Sequence, residues 1–166
     1  MHCRLYARWH ALLMLLGLAM VVPSNAMAQF LSLADEAKAV SGVIKCPSPS
    51  LQADSDLPPL WSCLLPPKEV VKIFINGNAG KGVENVKIMW SDWTKDIGHG
   101  RHTDQSIAEA WVATLATRYA PDQVSQLLDA FRGEKPTLIE AGPFELRYTY
   151  WRGPAIDERL ITITQR

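Results

Sequence analysis

Apolar and polar residues alternate along EVVKIFI, with Val71, Ile73 and Ile75 on one side and Val70, Lys72 and Phe74 on the other. A period of two in β-branched and aromatic residues predicts a strand. VENVKIMW repeats the pattern, Val86, Ile88 and Trp90 sharing a face. The glycine-rich NGNAGKG between the two runs predicts the loop of an antiparallel hairpin. Nearer the C-terminus, FELRYTYW sets Phe144, Leu146, Tyr148 and Tyr150 against Glu145, Arg147, Thr149 and Trp151. RGPAIDE then reads as a turn region and RLITIT as the last strand, giving a second hairpin.

Between the hairpins the period lengthens. In TDQSIAEAWVATLATRY, Ile107, Trp111, Leu115 and Tyr119 recur every fourth residue, and Thr103 or Asp104 supplies a cap. PDQVSQLLDAFRG carries Val124, Leu127, Leu128 and Phe131 as a helical stripe, with Pro121 in the first turn and Gly133 past the end. Earlier in the chain, SLADEAKAVSG predicts a short helix capped by Ser32, with Asp35 and Glu36 in its first turn and Gly42 as its stop. The expected fold is therefore α+β: an antiparallel sheet of two β-hairpins with two consecutive helices on one face, in the order β-β-α-α-β-β. A short helix and a disulfide-closed, proline-rich strap precede it.

The N-terminus changes the reading of the whole. MHCRLYARWH holds Arg4 and Arg8 and no acid, residues 11–22 are apolar, and AMA follows a Pro-Ser-Asn break. This predicts a signal peptide over residues 1–28, cleaved after Ala28, on a chain that is periplasmic or secreted and not inserted in the membrane. Residues 29–67 then form the helix and strap, and residues 68–166 the α+β body, together one domain. Two arginines leave with the leader and no acids do, so 15 basic and 17 acidic side chains remain. That balance gives nucleic acid no electrostatic hold. Cys46 and Cys63 remain as an even pair in an oxidising compartment, which predicts a disulfide across PSPSLQADSDLPPLWS.

Candidate chemistry is sparse. NGNAGKG lacks P-loop spacing and is followed by a strand where a phosphate loop needs a helix. No GxSxG is present, no cysteine is expected to be free, and the acids nominate no catalytic pair. Trp93 and Trp151 lie off the apolar faces and offer platforms for stacking. The richest stretch is SDWTKDIGHGRH, residues 91–102. It supplies metal-ligand types in Asp92, Asp96, His99 and His102, but Gly98 and Gly100 loosen the backbone between them. Arg101 and His102 immediately precede a helix start, where open amides attract an anion.

The function expected from these residues is that of a small, non-enzymatic binding or accessory protein of the bacterial envelope. It would recognise a protein or an envelope component and need no cofactor. Its low-molecular-weight ligand site, if it has one, is expected at Trp93, His99, Arg101 and His102. Two other classes stay open. One is an inhibitor or immunity-type protein presenting the Cys46–Cys63 loop to an envelope enzyme. The other is a metal- or anion-binding enzyme built on residues 91–102, with Asp96, His99 and His102 as metal candidates.

Overall fold

The computed structural model describes residues 29–54, 56–80 and 82–166. The predicted signal peptide lies outside them. The chain runs α1 (Leu33–Ile44), β1 (Pro49–Gln52), β2 (Leu60–Leu64), β3 (Val71–Gly77), β4 (Val83–Trp93), α2 (Gln105–Tyr119), a 3-10 turn (Pro121–Gln123), α3 (Val124–Arg132), β5 (Thr137–Ala141), β6 (Phe144–Trp151) and β7 (Ile156–Gln165). The strands form one seven-stranded sheet in the order β1-β2-β3-β4-β7-β6-β5, and every neighbouring pair is antiparallel.

Both predicted hairpins are present. β3 and β4 pair with Ile73 opposite Ile88 and Ile75 opposite Val86. β6 and β7 pair with Leu146 opposite Ile163 and Tyr148 opposite Ile161. The inward residues of both hairpins join one buried cluster with Val40, Trp111, Leu115, Leu127 and Phe131 from the helices. α1 packs on β2 and β3, α2 on β4, and α3 on β6.

The β-β-α-α-β-β order is too simple, because three strands come from segments that lack a clear alternation. The strap is a β1–β2 hairpin, with Leu51 opposite Trp61, and extends the sheet past β3. β1 has no buried residue and β2 only Trp61 and Cys63. β5 buries Ile139 alone and closes the other edge. Helix ends also differ. Ser32 caps α1 by accepting the Asp35 amide, but α1 passes through Gly42 to a left-handed Lys45. Pro121 opens the 3-10 turn, and α3 starts only at Val124. The Cys46–Cys63 bond, with Cα atoms 5.9 Å apart, ties the end of α1 to β2.

Candidate functional site

β4 carries its inward alternation one residue beyond the apolar core. Val86, Ile88 and Trp90 are followed on the same face by Asp92, which is 1% exposed. A carboxylate there must be paired to stay charged. His102 Nδ1 lies 2.8 Å from Asp92 Oδ1, and Arg159 Nε lies 3.3 Å from Oδ2. The register partner of Asp92 on β7 is Asp157, also buried, which takes the Tyr150 hydroxyl and the Gly153 amide. This end of the inward face is thus polar: Asp92, Asp157, Arg159, Tyr150 and the hydroxyl of Tyr148 stand where the rows above are aliphatic.

Arg159 organises that end. Its Nη1 donates to the carbonyls of Phe131 and Gly133 at the close of α3 and contacts the Tyr148 hydroxyl at 3.1 Å. A cation at a helix C-terminus satisfies carbonyls that the helix leaves open. Its guanidinium also lies over the rings of Trp90 and Tyr150. Burial opposes its charge, but Tyr148 and Asp92 outweigh burial and raise its pKa.

Of the 91–102 stretch, Ser91–Trp93 complete β4, and the loop that follows is fastened where the glycines suggested looseness. The His102 amide donates to Trp93 O at 2.7 Å, the Thr103 hydroxyl donates to His99 O, and the Trp90 indole donates to Thr103 O. Gly98 has φ +59, and a Cβ there would stand 2.3 Å from the Trp93 ring. That ring packs on Gly98 and contacts His99 edge-on, so Trp93 is no open platform. His99 and Arg101 are exposed, and His102 turns away from His99 to Asp92. Among the described residues no group of three or more His, Cys, Asp or Glu side chains is placed to hold a metal ion. The outward side of His102 borders a shallow depression of about 470 Å³ with Asp104, Gln105, Ser106 and Glu109. Asp104 caps nothing with its side chain, and Glu109 is bound by Gln105 and Arg132. The loop is an anchor that binds the start of α2 to the sheet. Trp151 stands apart on the outer side, 62% exposed.

The larger concavity lies at the far end of the sheet, at residues outside the 91–102 loop. A groove of about 1040 Å³ separates α1 from the disulfide-closed hairpin. Leu33, Ala34 and Ala37 form its helical wall, Trp61 and Leu51 its floor. The turn between β1 and β2 supplies the opposite wall with Ala53, Leu57, Pro58 and Pro59. Its polar lining residues are Ser32, Asp54, Asp56 and Asn78. Leu51 and Leu57 are 61% and 58% exposed. Gly77 makes the groove possible. Its amide donates to Pro59 O at 2.7 Å, and a Cβ would stand 2.7 Å from the Pro59 ring, so only glycine admits the turn this close to β3. The sequence holds a trace of the groove in its leucines and prolines within a disulfide loop, but the facing wall comes from a separate helix.

The chain matches no known family model, no curated protein and no solved structure.

Proposed function

We propose that this chain is an exported binding protein that seats an apolar segment of a partner protein, carrying a basic side chain, in the groove between α1 and the Cys46–Cys63 hairpin. The observation that carries the reading is the groove: open to solvent and lined mostly by Leu, Ala, Pro and Trp side chains. Open apolar concavities rimmed by polar groups mark interaction sites. Asp54 at the groove favours a cationic neighbour over a fatty acid or phospholipid, whose anionic head would meet its carboxylate. The disulfide pre-orders one wall, which lowers the entropy lost on binding. The same bond, and the absence among the described residues of a helix long and apolar enough to cross a membrane, are compatible with export.

The test is capture from envelope extract with a photo-crosslinker at Leu57, and mapping of the crosslinked peptide. Ala34→Trp, which fills the groove, is expected to abolish capture while the melting temperature stays within a few degrees. The captured peptide is expected to be apolar with Lys or Arg beside it. Capture that persists undiminished in Ala34→Trp overturns the reading.

A further inference from the structure

One inward row crosses all seven strands: Leu51, Trp61, Ile75, Val86, Ile163, Leu146 and Ile139 stand opposite one another from β1 to β5. Every member is buried except Leu51. At the β5 edge the 3-10 turn packs over the strand and Ile139 is covered. At the β1 edge the helix layer stops short, because α1 lies over β2 and β3. The groove is the uncovered end of a layer that is otherwise complete.

We infer that the partner segment is an amphipathic helix lying beside α1 as a fourth member of that layer, its apolar side on Leu51 and Trp61 and a basic side chain at the Asp54 edge. The inference rests on the groove being the binding site. Packed helices lie about 8–10 Å apart, roughly two strand spacings, so a helix next to α1 falls over β1 and the sheet edge. Ala34 and Ala37 on the groove wall leave room for close approach of a second backbone. α1 lines the groove from Leu33 to Ala37, about 7.5 Å of helix rise, which meets about one and a half turns of a partner and selects a single apolar face, the i, i+3, i+4, i+7 pattern. A strand added to the free edge of β1 would lie in the plane of the sheet. It would leave Leu51 open above, and β1 offers only four residues beginning with a proline that has no N–H.

The experiment titrates the purified protein with two labelled 15-residue peptides of identical leucine and lysine content. One places leucine at i, i+3, i+4 and i+7; the other alternates leucine and lysine. Fluorescence anisotropy is expected to show at least tenfold tighter binding of the helical-register peptide. Ala34→Trp is expected to abolish that binding, and Asp54→Lys to weaken it severalfold. Equal or tighter binding of the alternating peptide overturns the helix. If Ala34→Trp removes the alternating peptide as well, the groove itself stands. Binding of both peptides that Ala34→Trp leaves unchanged overturns helix and groove together. If neither peptide binds, the helix is overturned, and envelope capture judges the groove separately.

Discussion

Glu36 of α1, wholly buried, accepts hydrogen bonds from Arg118 and Tyr119 of α2. Its second oxygen accepts the Leu31 amide at 3.0 Å, so one carboxylate joins the segment before α1, α1 itself and α2. Burial pushes its pKa up, but the bonds from Arg118, Tyr119 and Leu31 outweigh burial and hold it below the ordinary glutamate range. Burial and the nearby carboxylate push the Tyr119 phenol well above its usual range. A carboxyl with a lowered folded pKa stabilises the fold above its unfolded pKa, and that stability is lost as pH falls through the folded value. The melting temperature is therefore expected to drop on acidification below about pH 4.5, and less steeply in Glu36→Gln. Glu36→Ala removes the acceptor shared by Arg118 and Tyr119 and is expected to destabilise by about 2–3 kcal/mol near neutral pH. Urea midpoints against pH check both statements.

Arg159 is expected to be the most sensitive position at the other end of the sheet. Arg159→Met leaves Asp92, among the described residues, with His102 as its one side-chain partner and reopens the carbonyls of Phe131 and Gly133. Breaking a buried pair from one side costs about 3–5 kcal/mol. Arg159→Lys is expected to recover only part, since one ammonium cannot serve the carboxylate and the helix end together. His102→Ala removes a half-exposed partner and is expected to cost about 1–2 kcal/mol. Denaturant midpoints of the three variants should rank in that order, and equal midpoints would contradict the role given to Arg159.

What could be read from sequence divides along the same residues. Val71–Ile73–Ile75, Val86–Ile88–Trp90 and Phe144–Leu146–Tyr148 alternate over enough positions to declare strand and face. β1 and β5 are four or five residues long with no buried residue or one, so packing against neighbours makes them strands where their own pattern does not. The polar anchors left a signal that composition hides. Asp92 continues the parity of Trp90, Asp157 and Arg159 that of Ile161, and Glu36 interrupts the stripe of Leu33, Ala37 and Val40. A charge on a buried face demands a partner, and only the fold shows which one. The groove left almost no signal, because its two walls, α1 and the β1–β2 turn, are separate segments that only the folded sheet and the disulfide bring face to face.

The disulfide should matter more for the hairpin than for the body. Cys46 and Cys63 are 17 residues apart, and closing a loop of that length is worth about 3 kcal/mol in the chain-entropy model. Cys46→Ser with Cys63→Ser is expected to lower stability by about that amount while the far-ultraviolet spectrum persists. β1 has no buried residue to hold it otherwise. Hydrogen exchange is expected to quicken at residues 49–64 and to stay slow in β4 and β7, where β4 runs between two partners. Uniform acceleration across the sheet would show that the hairpin and body unfold together.

Gly77→Ala separates groove shape from general stability. The added Cβ meets the Pro59 ring at 2.7 Å and its carbonyl at 2.9 Å, and Leu33 at 3.1 Å. Two of these neighbours belong to the turn and one to α1, so relief spreads the two walls of the groove. Inserting one carbon into a filled space costs about 1–3 kcal/mol, and the Gly77 amide loses its 2.7 Å bond to Pro59 O as the turn withdraws. The variant is expected to fold, with β3 and β4 still paired. Trp61 on the groove floor is only 6% exposed, and moving the turn uncovers it. Trp61 emission, measured with the other four tryptophans of the described chain replaced by Phe, is expected to shift to longer wavelength and become more accessible to iodide quenching. An unchanged spectrum in a folded Gly77→Ala would mean that Pro59 does not set the width of the groove.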